Sequence, residues 1–243
     1  MARPWRLITT WGAPPAFNMG LDEALLESPD APPTLRFYSW SPDTLSLGYF
    51  QRWDDVPGTT KAGAVVRRIT GGGAIHHVNE LTFSFTTSQG DPLYRGKVAD
   101  SYLRIHRSIA RALAGLGVEA SLACGQEIAS GRGGTGMCFH ASTDQDLVWG
   151  GRKGVGSAQR RRDGRVLHHG SIKLGSSALE GEIAVLRDAA PDLEPGALAP
   201  RLLEAFREDL ELAFETGVPT PAERTRAHEL GTRYLDPAFL KRR

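Results

Sequence analysis

Cysteine is scarce in this sequence, with only Cys124 and Cys138 among 243 residues. Two cysteines seldom form a structural disulfide in a cytosolic protein of this size. No CxxC or Cys/His spacing suggests zinc. The pairs His76-His77 and His168-His169 do not change this, because adjacent side chains on a strand point to opposite faces and each pair offers at most one ligand to a common site. We therefore expect no metal centre.

A charge imbalance and long apolar runs are also missing. The formal net charge is +1, and the basic run Arg160-Arg161-Arg162 does not make the broad positive field of a nucleic-acid binder. We expect this run to be solvated surface, with docking of an acidic carrier protein as the alternative. No apolar run approaches the ~20 residues needed to cross a bilayer, and no signal-peptide core is present. The expected location is the cytoplasm, without membrane association.

Linkers and internal repeats are absent as well. Neither a Pro/Ser-rich stretch nor a repeat divides the chain, so we expect one α/β domain over residues 1–243. Apolar residues recur at helical spacing over residues 102–116 and 202–214, which predicts two amphipathic helices. Asn18 is expected to cap an earlier helix. Aromatic and β-branched residues over 35–49, interrupted by a Ser-Pro-Asp turn, predict two strands.

The most informative segment that is present runs from Arg67 to His77 and holds a triple glycine. It lies between apolar residues 64–66 and the alternating segment 81–85, which predicts two strands joined by a hairpin loop. Glycines carry no Cβ, so backbone amides can approach a ligand, while Arg67 and Arg68 add positive charge. A thioester carbonyl, a carboxylate or a phosphate would suit this turn. A merely flexible hairpin tip is the simpler alternative.

The whole string Arg67-Arg68-Ile69-Thr70-Gly71-Gly72-Gly73-Ala74-Ile75-His76-His77 resembles the signature of the lipoate and octanoate attachment enzymes. That superfamily contains lipoate-protein ligase A, the octanoyltransferases and the biotin-protein ligases. Further similar segments keep the family's order, at residues 18–26, 35–51, 151–159 and 168–172. The resemblance implies a mixed, largely antiparallel sheet flanked by helices. It also implies an active-site lysine, Lys153, and these substrate-binding residues: Arg68, Gly71, Gly72, Gly73, His77, Gly156, Ser157, Ala158, His169 and Gly170.

Cys138 distinguishes between branches of that superfamily. It lies eight residues before the segment Asp146-Leu147-Val148 and resembles the Cys-Phe element of the Gram-positive type of octanoyltransferase. Lipoate-protein ligase A has no cysteine there and carries Gly-Arg-Asn-Asp, where this chain has residues 143–146. His140 departs from the acidic or small residue expected in the family. The resemblance is therefore closest to the octanoyltransferase.

The chemistry of acyl transfer explains why a cysteine matters. A thioester is already activated, so a transferase needs a nucleophile and no ATP, whereas a ligase needs no nucleophile. A thiol of ordinary pKa, about 8.5, is mostly protonated at neutral pH, and an adjacent ammonium favours the thiolate. Lys153 follows Cys138 by fifteen positions, beyond a predicted strand and the Gly150-Gly151 turn, so a strand-turn-strand path would bring both together. Cys138 as a buried structural thiol is the alternative, and Cys124 is expected to be inert.

The resemblance implies a complete reaction. Cys138 would accept octanoate from octanoyl-acyl carrier protein, and a lysine of a lipoyl domain, on the glycine cleavage H protein or a 2-oxoacid dehydrogenase E2, would take it as an amide. Lys153 would first stabilise the thiolate and later, when neutral, help to remove the amine's proton. Backbone amides around residues 71–73 or 156–157 would stabilise the oxyanion. We expect a monomer without cofactors. The alternatives are a lipoate ligase that needs ATP and magnesium, an amidotransferase between lipoyl domains, and a non-catalytic acyl-binding protein.

Overall fold

The computed structural model describes residues 2–242, so Met1 and Arg243, the end residues of the predicted 1–243 domain, lie outside the described residues. The helices are α1 (Pro15–Glu27), α2 (Val98–Ala114), α3 (Pro195–Asp209), α4 (Pro221–Leu235) and α5 (Pro237–Leu240). The strands are β1 (Arg3–Ala13), β2 (Thr34–Trp40), β3 (Thr44–Leu47), β4 (Ala64–Arg67), β5 (Ile75–His77), β6 (Glu80–Ser88), β7 (Ser121–Leu122), β8 (Leu147–Trp149), β9 (Arg152–Arg162), β10 (Arg165–Lys173) and β11 (Leu212–Thr216).

Eight strands form one large sheet, in the order β11-β1-β2-β6-β10-β9-β8-β7. The two pairs that involve β1 are parallel, and the other neighbours are antiparallel. A small sheet, β4-β3-β5, lies beside it. This arrangement confirms the predicted mixed, largely antiparallel sheet flanked by helices. Within the part of the chain that the structure describes, no helix is both long and apolar enough to cross a bilayer.

The two faces of the large sheet pack against different parts of the protein, because successive side chains on a strand point to opposite faces. Phe37 and Phe85 belong to the main core, which also contains the apolar faces of α2 and α3. Their neighbours in sequence, Arg36 and Ser84, instead bind Asp22 of α1 on the opposite face. A helix that packs a carboxylate against a sheet needs partners for it, and these strands supply them. The candidate active site lies on this second face of the sheet, where polar side chains of the strands contact α1.

The start of α1 differs from the prediction. Pro14 occupies the cap position and Pro15 opens the helix, a place where proline's fixed φ and missing N–H are tolerated. Asn18 therefore lies inside the first turn. Its side-chain amide donates to the carbonyls of Ala13 (3.2 Å) and Ser39 (3.1 Å), which joins the helix to β2. The predicted N-cap at Asn18 was wrong because a nearby Pro-Pro pair begins the helix earlier.

The predicted hairpin around the glycine segment was also wrong. The segment 64–66 is in β4 and the segment 81–85 is in β6, but β4 belongs to the small sheet and β6 to the large one. Similarly β2 and β3 do not pair with each other, since the turn at residues 41–43 carries the chain from the large sheet to the small one. A period of two residues identifies strands and their faces but does not identify their partners.

Two predicted helices have different bounds in the structure. The helix predicted over residues 102–116 runs from Val98 to Ala114. The helix predicted to include Phe214 ends at Asp209, and Phe214 lies on β11, which pairs in parallel with β1. Glu211 breaks the helix with a left-handed φ of 55°. Phe206, Leu210 and Phe214 lie four residues apart, which also fits a helix, so apolar spacing alone does not mark where the helix ends and the strand begins.

Candidate active site

The glycine segment and the segment that carries Cys138 lie against each other like two strands for a short distance. The Ala74 N–H donates to the Gly136 carbonyl (2.8 Å), and the Cys138 N–H donates to the Ala74 carbonyl (2.8 Å). A Cβ on Gly73 would lie 2.8 Å from the Cys138 nitrogen, so only glycine permits this approach. Gly73 therefore allows the glycine segment to lie this close to Cys138.

The two arginines before the glycines brace this loop. Arg68 donates to the carbonyls of Ser46 (2.7 Å), Gly71 (3.0 Å) and Gly73 (2.9 Å). Burial lowers the pKa of its guanidinium to about 10. Arg67 donates to the Gly48 carbonyl (3.0 Å) and to other backbone carbonyls. The positive charge that the sequence suggested for ligand binding is thus directed largely at carbonyl oxygens of the protein.

Cys138 opens a short 3-10 turn, Cys138–His140, and is half-buried. Lys153 lies near the start of β9, and its Nζ is 3.4 Å from Cys138 Sγ. Gly150 and Gly151, both with positive φ, form the turn that returns the chain from β8 to β9. The structure therefore brings together the two side chains that the sequence predicted to meet. A Cβ on Gly156 would lie 2.8 Å from Lys153 Cε, so that glycine leaves room for the pair.

The ammonium of Lys153 has four acceptors around it. Its Nζ lies 2.8 Å from Asp146 Oδ2 and 3.1 Å from each of the carbonyl oxygens of Cys138 and Ala141. Burial lowers the pKa of Lys153, but the negative charges of the Cys138 thiolate and Asp146 raise it by more, so the net pKa lies above its ordinary value. At neutral pH a charged lysine therefore lies beside the thiol.

Two cavities meet at Cys138. The first, here called the acyl cavity, has about 400 Å³ of empty space including its open part, and most of its exposed lining is apolar. Every predicted substrate-binding residue except Gly73 lines it. The sequence reasoning missed five further lining residues: Met19, Tyr38, Trp40, Ile75 and Thr82. Tyr38 and Trp40 alternate on β2, a pattern that marks one sheet face but gives no sign that the face borders a cavity.

Two of the predicted substrate-binding residues, His77 and His169, are histidines that line the acyl cavity. His77 Nδ1 lies 2.6 Å from Glu80 Oε1, its Nε2 lies 2.7 Å from Ser46 Oγ, and its ring stacks on Trp40 at 4.2 Å. Burial lowers the pKa of His77 to about 4, although Glu80 opposes this. Both ring nitrogens are thus engaged within the protein. His169 Nε2 lies 2.7 Å from the hydroxyl of Thr70, which joins β10 to the glycine segment.

The second cavity, here called the entry cavity, is wider, with about 1010 Å³ of empty space including its open part. Gly73, Asp146 and Lys153 line it together with a glycine-rich loop at residues 133–136. The residues common to both cavities are Gly72, Cys138 and Ser157. His140 also lines the entry cavity, and its Nε2 lies 2.6 Å from the Glu180 carbonyl.

Cys124 is exposed and lines neither the acyl cavity nor the entry cavity. Among the described residues, no cluster of His, Cys, Asp or Glu could hold a metal ion.

Comparison with known proteins identifies the family and the fold. The model of the lipoyl protein ligase A/B catalytic domain matches residues 14–188. A protein of Moorella thermoacetica named octanoyltransferase LipM is 36% identical over 100% of this chain and 99% of its own length. A protein of the same name from Kyrpidia tusciae is 37% identical over 95% and 96%. A solved structure from a study of a bi-partite lipoate protein ligase and its E2 lipoyl domain from Thermoplasma acidophilum superposes with a TM-score of 0.78 at 21% identity over 98% of this chain and 96% of that chain.

A cysteine beside a buried lysine, at the end of an apolar cavity, is an arrangement that suits covalent acyl transfer. The chain belongs to the lipoyl protein ligase A/B catalytic domain family. Two relatives of full length that carry the name octanoyltransferase LipM agree with the branch that Cys138 indicated. The likeness to the archaeal ligase shows the fold alone.

Proposed function

We propose that this chain is an octanoyltransferase that moves octanoate from octanoyl-acyl carrier protein to Cys138, and from Cys138 to a lysine of a lipoyl-domain protein. The observation that carries the proposal is the 3.4 Å contact of Lys153 Nζ with Cys138 Sγ, where the acyl cavity meets the entry cavity. The relatives named octanoyltransferase support octanoate as the acyl group.

In the first transfer the Cys138 thiolate attacks the thioester carbonyl of the donor. The C–S bond to the carrier breaks, and the carrier's thiol leaves with a proton. The Lys153 ammonium stabilises the attacking thiolate and is close enough to supply that proton. The octanoyl chain lies in the acyl cavity, while the carrier's polar arm occupies the entry cavity. Backbone amides around Gly71–Gly73 or Gly156–Ser157 stabilise the oxyanion.

In the second transfer the ε-amine of the acceptor lysine attacks the octanoyl-Cys138 thioester. An amide forms, the Cys138 thiolate leaves, and the amine's proton passes to Lys153, which is neutral after it has given its proton to the carrier's thiol. The acceptor is a lipoyl domain, on the glycine cleavage H protein or a 2-oxoacid dehydrogenase E2. Because the donor is already activated, the reaction uses neither ATP nor a metal. The enzyme acts as a cytoplasmic monomer of one catalytic domain.

The test is intact-protein mass spectrometry after mixing the enzyme with octanoyl-acyl carrier protein in the absence of ATP. We expect a hydroxylamine-sensitive octanoyl adduct on the wild-type protein and on Cys124→Ala, and none on Cys138→Ala. Cys124→Ala is the matched control, because that thiol is exposed and lies away from both cavities.

The alternatives give different results in the same assay. A lipoate ligase would acylate a lipoyl domain only with ATP and magnesium, and Cys138→Ala would still do so. An amidotransferase would load Cys138 from an octanoylated lipoyl domain and not from the carrier protein. A non-catalytic acyl-binding protein would retain octanoate without a covalent bond, and Cys138→Ala would leave binding intact.

A further inference from the structure

The donor of the first transfer is much longer than its acyl group, so its far end also needs a binding place, an inference that rests on the proposed function. An acyl carrier protein holds its acyl group on a pantetheine arm, which is joined to the protein through a phosphodiester. The arm is mostly neutral, but the phosphodiester carries a negative charge. A cation at the matching distance from Cys138 would bind the arm at that end.

Arg132 lines the entry cavity at the start of its glycine-rich loop. It also lines a third cavity, here called the outer groove, which has about 840 Å³ of empty space including its open part. No other residue that the structure describes lines both. A Cβ on Gly181 of the outer groove would lie 3.1 Å from Arg132 Nη1, so the guanidinium packs against that glycine. Arg132 therefore marks the place where the entry cavity opens into the outer groove.

The positive charge of Arg132 is not paired within the protein. Lys153 and Asp146, the other charged residues of the entry cavity, lie 2.8 Å apart and form a pair of their own. Arg152, the second arginine of the outer groove, has Glu182 at 3.8 Å. Among the described residues, none forms an ion pair or hydrogen bond with the guanidinium of Arg132. Because Arg132 is also exposed, its charge is available to a ligand that enters the cavity.

Backbone amides beside Arg132 are available to the same anion. Gly133 and Gly134 follow it, and a Cβ on either would meet no atom within 4 Å. In the part of the chain that the structure describes, their N–H groups donate to no protein acceptor. Gly134 has a left-handed φ of 73°, a conformation found in turns that direct successive N–H groups at an anion. An arginine followed by two accessible glycine amides is a combination that suits a phosphate.

His140 holds the loop that carries Arg132. The Arg132 N–H donates to the His140 carbonyl (3.0 Å), and His140 Nδ1 lies 2.7 Å from Thr135 Oγ1 in the same loop. The other ring nitrogen of His140 is 2.6 Å from the Glu180 carbonyl. Because His140 belongs to the 3-10 turn that Cys138 opens, one residue connects the nucleophile with the loop. The fold therefore sets the distance between the Cys138 thiol and Arg132.

The length of the carrier's arm agrees with this position. About thirteen bonds separate the thioester sulfur from the phosphorus, which gives roughly 16 Å for an extended arm. On the protein side, the carbonyl that binds the Arg132 N–H belongs to His140, two residues after Cys138. With ~3.8 Å between consecutive Cα atoms and ~7 Å for an arginine side chain, the guanidinium lies within roughly 20 Å of the thiol. An arm that fills the entry cavity can therefore bring its phosphate to Arg132.

We propose that Arg132, with the amides of Gly133 and Gly134, binds the phosphodiester of the carrier's arm during loading. The arm runs from Cys138 through the entry cavity, and the folded part of the carrier lies over the outer groove. That groove has two carboxylates beside its two arginines, so it suits one phosphate at its edge and not a broadly acidic surface. The acceptor lysine of a lipoyl domain carries no phosphate. Arg132 therefore acts on the donor and not on the acceptor.

The experiment compares two small donors that differ only in the phosphate, octanoyl-pantetheine and octanoyl-phosphopantetheine. Loading of Cys138 is followed by mass spectrometry, and for wild type its kcat/KM should be about tenfold higher with the phosphorylated donor. This preference should fall as salt is added, because exposed charges are screened. Arg132→Gln should remove the preference without changing loading from octanoyl-pantetheine, and Arg132→Lys should retain part of it. Arg160→Gln, which removes an arginine that lines neither the acyl cavity nor the entry cavity, is the matched control and should keep the preference.

The carrier protein and the lipoyl domain complete the comparison. Arg132→Gln should slow loading from octanoyl-acyl carrier protein by about tenfold and leave transfer to a lipoyl domain within about twofold of wild type. Equal loading of the wild-type protein from both small donors, or the same loss with both in Arg132→Gln, would overturn the phosphate site. Slower transfer by Arg132→Gln would overturn it too, because the arginine would then serve the loop or the acceptor. Failure of the wild-type protein to load from the carrier and from either small donor would instead reject the proposed function.

Discussion

The acyl cavity and the entry cavity share Cys138, but they are built from different parts of the fold. The walls of the acyl cavity come from α1 and from strands β2, β5, β6, β9 and β10, and they are apolar on the surface. The entry cavity is lined mostly by loop residues 132–143, with Asp146 and Lys153 on one side. The strands fix the shape that an acyl chain must fit, whereas the loops leave space for a polar arm or a polypeptide. Binding selectivity and chemistry should therefore respond to different substitutions.

Lys153→Met is the substitution with the largest expected effect, and it acts on the entry side. Without the ammonium the Cys138 thiolate loses its nearest positive charge, and formation of the octanoyl-enzyme should slow by on the order of 10²–10³-fold. The rate is measured by quenching the reaction with octanoyl-acyl carrier protein at set times and following the octanoyl-enzyme by mass spectrometry. Asp146 would be left buried without its partner, so the control is Lys153→Met with Asp146→Asn, which removes both charges. If the double variant regained the loading rate, the lysine would serve only to neutralise Asp146.

His77, which lines the acyl cavity, should make the free energy of unfolding sensitive to acid pH. The pKa of His77 is about 4 in the folded protein, from burial foremost, against 6.5 for the free group. As pH falls from 6.5 to 4 the unfolded chain takes up a proton that the folded chain does not, so stability is lost in that window, by about 3 kcal/mol at most. Glu80 contributes at lower pH. Its pKa is lowered to about 2 in the folded protein, so its carboxylate stabilises the fold above pH 4.5, and this stabilisation is lost as the pH falls toward 2.

The measurement is the free energy of unfolding in urea between pH 7 and 4. His77→Gln can still donate to Glu80 and accept from Ser46, so it should flatten the curve in this window. Exposed His228→Gln is the control. An unchanged slope in His77→Gln would mean that His106 and His168, which also have lowered pKa values, account for the acid loss alone.

Gly73→Ala tests the boundary between the cavities. The new Cβ would lie 2.8 Å from the Cys138 nitrogen and from the Gly136 carbonyl oxygen, both backbone atoms that cannot turn away. We expect a loss of about 1–3 kcal/mol in stability, with slower loading because Cys138 is displaced. Thermal unfolding and the loading assay measure the two effects. Gly71→Ala, where the nearest atom is Phe50 Cδ2 at 3.8 Å, should leave the unfolding temperature unchanged. Equal effects at both positions would show that backbone freedom, not close approach, is what these glycines supply.

The contact of Cys138 with Lys153 could be predicted from the sequence because it is local. The two residues are fifteen positions apart, and the stretch between them contains one short strand and a Gly-Gly turn, which returns the chain on itself. The 2.8 Å contact between Ser157 Oγ and His106 Nε2 could not be predicted in this way, since His106 lies 51 positions away on the buried side of α2. The distinction also explains the strand errors. Alternation over residues 81–85 predicted a strand correctly, but its partners β2 and β10 are distant in the chain.

Ala158→Leu has the smallest expected effect and addresses the acyl cavity alone. Ala158 pairs with His169 on β10, and both line that cavity, two residues along β9 from Gly156 beside Cys138. A larger side chain there shortens the space without touching Cys138 or Lys153. Each methylene that no longer fits should lower the rate by about tenfold or more. Loading from octanoyl and butanoyl carrier proteins should therefore change in ratio, with butanoyl transfer retained as the internal control. A parallel loss with both donors would mean that Ala158 supports the sheet and does not measure chain length.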